Sequence, residues 1–457
     1  MRQETCDVLI IGAGPGGYVC AIRCGQLGLN TVVVEAKAPG GTCLNVGCIP
    51  SKALIHAADR FHEAAELSGD NVLGITTAAP AIDLGRTVAW KDGIVARLTG
   101  GVAGLMKKAK VRAVQGHAQI VDGKTVTVET EDGPIRIATK NLVIATGSAP
   151  QDIAALPFGG DILSSTEALS LAQVPQRLAV VGGGYIGLEI GTAMAKLGAD
   201  VTVVEAAPRI LPQYDADLTR PVAKRLEALG IRVLTNAKAG GFADGNLAVE
   251  TADGVQQIAA DKVLVTVGRK PVTQGFGLEG LMLDMAGRYI AVNDRCQTSM
   301  QGVYAIGDVT GDPMLAHRAM AQGAMVAEVL AGKPASWDKR AIPAVCFTDP
   351  EIVTVGLLPA DAPGAKVAQF PFAGNGRSLT LERDDGFVRF VSDANSGLIL
   401  GIQAVGAGVS EMAGQFAQSL EMAATLTDIA DTIHAHPTLG ETVQEAAMKA
   451  LGRALHG

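Results

Sequence analysis

One short pattern occurs twice in this 457-residue chain, and it constrains the fold more than any other feature. An apolar, β-branched run, Val8 to Ile11, breaks into Gly12-Ala13-Gly14-Pro15-Gly16-Gly17. A helical stretch follows, then Gly28, then a second β-branched run from Thr31 that ends at Glu35. The same order returns with Leu178 to Val181, the turn Gly182-Gly183-Gly184-Tyr185-Ile186-Gly187, a helical stretch, Gly198, and a run from Val201 to Glu205. In both copies the closing glycine falls 16 positions after the first glycine, and the acid 23 positions after it.

A lone G-x-G-x-x-G says little. A strand before it, a helix behind it and an acid ending the next strand make it the fingerprint of a dinucleotide-binding βαβ unit. Gly12 and Gly182 permit the tight turn, Gly14 and Gly184 let backbone approach a pyrophosphate, and Gly17 and Gly187 let helix pack on strand. The helix N-terminus offers free N–H groups to the phosphates. Glu35 and Glu205 are placed to accept hydrogen bonds from ribose hydroxyls, and a carboxylate there repels a 2′-phosphate. The alternative is a glycine turn with no ligand. Two such sites in one chain imply two dinucleotides that exchange electrons.

Each copy closes with a strand running into glycine, at Gly147 and at Gly268. The first copy is about 49 residues longer, measured from its first glycine. Hairpins are expected around Asp122-Gly123 and Asp253-Gly254. A third strand-to-glycine run, Val303 to Asp308, precedes an Ala/Met-rich helix over 315–330. From Ile342 the pattern changes to short strands (387–391, 398–404) and then two amphipathic helices. The expected architecture is α/β: two Rossmann-like units over 1–149 and 150–270, a central segment 271–341 completing the first site, and an α+β domain over 342–457.

Composition narrows the function classes. Hydrophobic residues at 48% and charged residues at 18% describe a folded chain, and a net charge of −8 lacks the footprint of a nucleic-acid binder. The apolar stretch from Val8 is interrupted by Pro15 and Arg23, and the one from Leu178 by Glu189, so no membrane span is expected. Glu4 and Asp7 stand where a signal peptide carries positive charge. Seven cysteines form no even framework, which suits a reducing, cytoplasmic compartment.

The longer first copy contains residues 40–52, GGTCLNVGCIPSK. On a regular helix, cysteines five positions apart have Cα atoms about 8–9 Å apart, beyond the roughly 7 Å limit of a disulfide. If Cys43 and Cys48 are bridged, the backbone must leave regular helix, and Gly47 and Pro50 are the residues that permit it. The alternatives are two packed thiols or, less suited to this spacing, a zinc ligand pair. Cys20 and Cys24, one turn apart inside the first turn's helix, read as packed small residues, as do Cys6, Cys296 and Cys346.

On these motifs the chain resembles the dihydrolipoamide dehydrogenase family of flavin-dependent disulfide oxidoreductases, over nearly its whole length. The resemblance implies that Cys43 and Cys48 are a redox-active pair and that FAD sits on Gly12, Gly14, Gly17 and Glu35. Gly41, Thr42, Lys52, Gly116, Thr146, Gly147, Ser148, Asp308, Leu315 and Ala316 complete that site. It implies NAD on Gly182, Gly184, Tyr185, Ile186, Gly187 and Glu205, with Ala237 and Gly268, and no metal. It pairs Lys52 with Glu189 beside the flavin, makes His436 the acid–base and Glu441 its orienting carboxylate, and leaves His317 as a helix-start residue. His436 in the family serves the other subunit's disulfide, so a homodimer is implied. The implied reaction is oxidation of protein-bound dihydrolipoamide with reduction of NAD, and the implied partner a lipoyl domain of a 2-oxo acid dehydrogenase acyltransferase or a glycine-cleavage carrier protein. Segments 344–351 and 368–373 look most like the form serving branched-chain 2-oxo acid complexes. No lipoyl-like module precedes Asp7, the vicinal C-terminal cysteines of mercuric reductases are missing, and Glu205 argues against NADP-linked glutathione reductases. Tyr185 departs from the family's usual Ile or Val, which leaves open an aromatic gate over the nicotinamide pocket. Two rivals stay open: an oxidase or other disulfide reductase of the same architecture, and a non-catalytic nucleotide-binding subunit.

Overall fold

The computed structural model of the chain describes residues 2–456. Its first apolar run is the strand Arg2–Ile11, whose last four residues are buried on both faces. Thr31–Glu35 pairs with it in parallel, and Arg112–Gln115 pairs in parallel with Thr31–Glu35. On the other side lies Ile135–Ile144, also parallel. That ten-residue strand serves two structures. Its first half alternates buried and exposed residues and pairs antiparallel with Thr125–Glu129, which forms a hairpin with His117–Asp122. Its last three residues are all buried, and they pair in parallel with Val303–Ala305. The change of pattern has a plain cause: an antiparallel ribbon can leave one face in water, whereas a parallel sheet is covered by helices on both.

The second unit repeats this with a five-stranded parallel sheet in the order Arg232–Leu234, Asp200–Val204, Arg177–Val181, Lys262–Val265, Ile162–Leu163. An antiparallel meander of Lys238–Ala243, Asn246–Thr251 and Gly254–Ala259 is appended to it. Both expected hairpins are therefore present. The chain crosses between the two units twice, on Ser148–Pro150 and Arg269–Pro271, and these segments pair as an antiparallel ribbon.

Segment 271–341 makes no large sheet of its own. It contributes Val303–Ala305 to the first sheet and the helix Ala316–Leu330, capped by Leu315, one residue later than the sequence predicts. This helix lies against the first turn's helix, Pro15–Gln26, with glycine facing glycine. A Cβ on Gly323 would stand 2.3 Å from the Gly16 carbonyl oxygen, and one on Gly16 would stand 3.1 Å from that of Ala319.

The C-terminal part is a five-stranded antiparallel sheet in the order Ala344–Cys346, Glu351–Gly356, Ile399–Gly406, Phe387–Ser392, Lys366–Pro371. Three helices follow the sheet where the sequence predicts two: Ala413–Glu421, Leu426–Ala430 and Glu441–Ala450. The five-residue middle helix is too short to show a helical period. Val353, Phe370, Phe390, Phe416 and Val443 share one core, while Ile352, Phe387 and Val405 from alternate positions join a core with Met194, Leu218 and Val222 of the second unit. Among the described residues no helix is long and apolar enough to cross a membrane.

The glycine seam predicts a direct stability effect. Gly323→Val drives a branched side chain into the Gly16 carbonyl, and overpacking of this kind costs about 1–3 kcal/mol. The expected outcome is a melting temperature several degrees lower. Calorimetry checks it, and an unchanged melting temperature would contradict the close packing of this seam.

Candidate active site

The two glycine turns are built alike. Gly12 and Gly182 have φ of +97° and +106°, and a Cβ on them would sit 2.4 and 2.6 Å from the carbonyl oxygens of Ala145 and Thr266. A Cβ on Gly17 or Gly187 would sit 1.9 or 2.3 Å from the carbonyl of the turn's first glycine. Around Gly184, by contrast, nothing lies within 4 Å of a Cβ, which leaves an open cradle before the helix Tyr185–Lys196. Each acid closes its turn. Glu35 accepts from the Ala13 N–H at 2.8 Å and Glu205 from the Gly183 N–H at 2.6 Å. Gly116 donates its N–H to the Glu35 carbonyl at 3.0 Å, and Ala237 does the same to Glu205 at 3.0 Å.

Residues 40–52 stand directly on the first turn. The Gly40 N–H donates to the Ala13 carbonyl at 2.7 Å, and a Cβ on Gly41 would lie 2.6 Å from the Gly14 Cα. Glycine at position 41 permits this approach, whereas a Cβ on Gly14 would make ordinary contact, 3.8 Å from the Gly41 Cα. The helix Gly41–Val46 ends at Gly47, with φ −138° and ψ −112°, and a new helix Cys48–Leu67 begins at once. This is the departure from regular helix that a bridge between the two cysteines would require. Pro50 falls in the new helix's first turn, where an N–H would have no intrahelical partner in any case.

The break brings the sulfurs together. Both thiols are free in this structure. The neighbouring Cys48 thiol and burial push the Cys43 thiol far above its usual value. The neighbouring Cys43 thiol, helped by Lys52, lowers the Cys48 thiol to about 7. Lys52, one turn beyond Cys48, places its Nζ 2.7 Å from Glu189 Oε2 on the helix Tyr185–Lys196. Glu189 is 3% exposed, and its other oxygen accepts the Phe347 N–H at 2.9 Å. The Phe347 ring centroid lies 4.3 Å from Lys52 Nζ, a cation–π contact.

The floor of the site is a polar cluster. The Ser148 hydroxyl donates to Asp308 Oδ2 at 2.5 Å and accepts from Arg269 Nε at 2.8 Å. Arg269 also donates to the Ser148 carbonyl at 2.7 Å and reaches the Thr42 hydroxyl at 3.4 Å. Thr146 turns its hydroxyl to the Val272 carbonyl at 2.7 Å, and Gly147 and Gly268 keep open backbone at the crossover. Leu315 and Ala316 open the helix that packs beside the first turn. Tyr185 begins the second turn's helix and Ile186 follows it. Tyr185 is 38% exposed, and desolvation by its surroundings raises its phenol, with Glu189, Arg269 and Cys48 around it.

His436 stands apart from this cluster. Its Nδ1 lies 2.8 Å from Glu441 Oε1, while Glu441 Oε2 accepts the Thr438 N–H at 2.7 Å. Burial opposes ionisation of Glu441, but these contacts outweigh it and lower its carboxyl below the usual range. A carboxylate only accepts, so the shared proton belongs to Nδ1 and Nε2 is left for other chemistry. The His436 side chain is 80% exposed, and among the described residues Glu441 is its one ion-pair partner. His317 sits in the first turn of its helix and bonds the Pro343 carbonyl at 2.7 Å, which agrees with a helix-start role.

Sequence reasoning missed Arg269, Phe347 and Thr438. Thr438 had a signal, since Thr-x-x-Glu ahead of an apolar helix is half of a capping box. Arg269 directly follows Gly268 at the end of a strand already singled out. Phe347 had none, because its contacts come from two other parts of the chain.

The family model of pyridine nucleotide-disulphide oxidoreductases matches residues 6–323, and that of their dimerisation domain matches residues 342–447. The dihydrolipoyl dehydrogenase of Pseudomonas aeruginosa is 58% identical over 456 residues, covering 98% of each chain. That of Bacillus subtilis is 44% identical, covering 98% of this chain and 97% of its own. Among solved structures, LpdA from Mycobacterium tuberculosis superposes with a TM-score of 0.89 at 26% identity, over 98% of this chain and 99% of that one. The flavoprotein disulfide reductase RclA from Escherichia coli reaches 0.86 at 24% identity, over 96% and 99%, and shares the fold. The family's cofactors are FAD and NAD. The glycine seam, the open cradle and the polar floor suit them, and the dimerisation domain makes the protein a homodimer. The chain belongs to the pyridine nucleotide-disulphide oxidoreductase family and, within it, to the dihydrolipoyl dehydrogenases.

Proposed function

We propose that Cys43 and Cys48 oxidise a dihydrolipoyl dithiol carried on the acyltransferase of a cytoplasmic 2-oxo acid dehydrogenase complex, of the branched-chain type, with NAD as the final acceptor. A glycine-cleavage carrier protein is the alternative lipoyl carrier. The observation that carries this reading is the break at Gly47. It turns two sulfurs toward each other on top of a dinucleotide turn and leaves one of them with a pKa of about 7.

The chain's residues divide the work as follows. The reaction starts with the pair oxidised to a disulfide. Only a thiolate attacks a disulfide, so the incoming dithiol must lose a proton, and Nε2 of the partner subunit's His436 is the acceptor. Glu441 holds that imidazole by Nδ1 and stabilises its cationic form. Attack on the Cys43 sulfur breaks the bond to Cys48, and a thiol of low pKa is the better leaving group. The second lipoyl thiol then displaces Cys43, which releases the lipoyl disulfide and leaves both cysteines reduced. The Lys52 ammonium favours the Cys48 thiolate, and Glu189 holds that ammonium in place. FAD, when bound, supplies the two-electron chemistry that links the cysteine pair to NAD. Gly14, Gly41 and Thr42 would face its pyrophosphate, and Asp308 with Ser148 its sugar-alcohol chain. Gly184 and Glu205 would hold the pyrophosphate and ribose of NAD.

Three measurements test this. His436→Gln is expected to slow dithiol oxidation by about 10²–10⁴-fold while leaving electron transfer from NADH to a dye nearly intact; equal losses in both assays overturn the acid–base role. Anaerobic reduction by two electrons should produce a long-wavelength thiolate-to-flavin band. A thiolate exists above its pKa, so the band should fade as pH falls through about 7. Lys52→Met removes the favouring charge, and the band should then fade at a higher pH. An unchanged midpoint in that variant overturns the assignment of Lys52.

A further inference from the structure

The Lys52–Glu189 pair is one rung of a ladder. Seven residues further along both helices, Asp59 Oδ1 lies 2.6 Å from Lys196 Nζ. Both pairs have the same sequence offset of 137. The helices Cys48–Leu67 and Tyr185–Lys196 therefore run parallel and in register, joined two turns apart, or about 10.5 Å along the axis. The charges reverse between rungs: the cysteine helix supplies the cation at the first and the anion at the second.

One short segment of the C-terminal domain closes both rungs. At the first, Phe347 gives its N–H to Glu189 and its ring to Lys52. At the second, Asp349 Oδ2 lies 2.7 Å from Lys196 Nζ. Asp349 is 8% exposed and is gripped by Arg225 at 3.1 Å and Arg383 at 2.5 Å as well. Burial opposes its ionisation, but Arg383, Lys196 and Arg225 outweigh that and hold its carboxyl well below the usual range. Between the two contact residues, the Thr348 hydroxyl bonds the Pro350 carbonyl at 2.8 Å, which ties the backbone of the segment to itself.

We propose that Asp349 and Phe347 are positioning residues for the Lys52–Glu189 pair: Asp349 locks helix register at the second rung and anchors the backbone that seats Phe347 at the first. The dimerisation domain thereby sets where the ammonium stands relative to Cys48, the sulfur four residues before it. Neither residue touches the reacting sulfurs, and both act through the pair. This rests on the role given above to Lys52 and Glu189.

The test is a double-mutant cycle on flavin-loaded dimer, with dihydrolipoamide as reductant. Asp349→Asn and Glu189→Gln are each expected to weaken the thiolate-to-flavin band and to slow dithiol-driven flavin reduction about tenfold. The double variant should fall no more than about twofold below Glu189→Gln, because residues acting through one pair are not additive. Losses that multiply, or an Asp349→Asn enzyme with a lower melting temperature but with wild-type band and rate, overturn the proposal. Should Asp349→Asn fail to give a soluble dimer, Phe347→Leu replaces it, since it keeps every charge and the main-chain N–H. Its band and rate should drop and be non-additive with Glu189→Gln, and wild-type values overturn the proposal. A wild-type enzyme whose flavin dihydrolipoamide does not reduce would instead overturn the reading on which this rests, and the proposal with it.

Discussion

The contact between residues 13–14 and 40–41 is the constraint on which the rest of the site depends. One hydrogen bond of 2.7 Å and two glycine Cα atoms in near contact press the cysteine loop onto the first dinucleotide turn. A side chain on Gly41 would hold the two backbones apart. The same contact fixes where the helix Gly41–Val46 starts, and therefore where Gly47 breaks it and which way Cys48 faces. The cysteine segment and the first glycine turn are thus joined by backbone alone.

Electrostatics then assigns unequal roles to two identical side chains. Cys43 and Cys48 are neighbours, yet their thiols are pushed in opposite directions. The interaction between the two thiols is the largest cause of the split. Lys52 lies one turn beyond Cys48, and its cation adds to the preference for a thiolate there. A buried carboxylate is costly unless it is paired and hydrogen-bonded. Glu189 satisfies both conditions, with Lys52 on one oxygen and the Phe347 N–H on the other. Three parts of the chain far apart in sequence meet at that single carboxylate.

Much of this was legible beforehand because it depends on local spacing. The repeated turn, the strand running into each turn, the hairpins and the cysteine motif are set by residues within about 30 positions of one another. That a bridge between Cys43 and Cys48 would need a break follows from helix dimensions, and the structure has a break at Gly47. Boundaries were less legible. The Ala/Met-rich helix begins one residue late because Leu315 takes the cap, and the short helix Leu426–Ala430 carries too little pattern to be seen. The dual service of Ile135–Ile144 is visible only as a change from alternating to continuous burial midway along one strand.

The sequence by itself determined the two glycine turns, their acids, the cysteine pair and the His436–Glu441 couple, since each is a pattern of near neighbours whose geometry the backbone enforces. Only the tertiary structure decided that Arg269 ties Thr42 to Ser148, that Glu189 receives Phe347, and that Lys196 sits between Asp59 and Asp349. These are contacts between charges or dipoles brought together by packing. Their partners lie more than 100 positions apart, where no local periodicity records them.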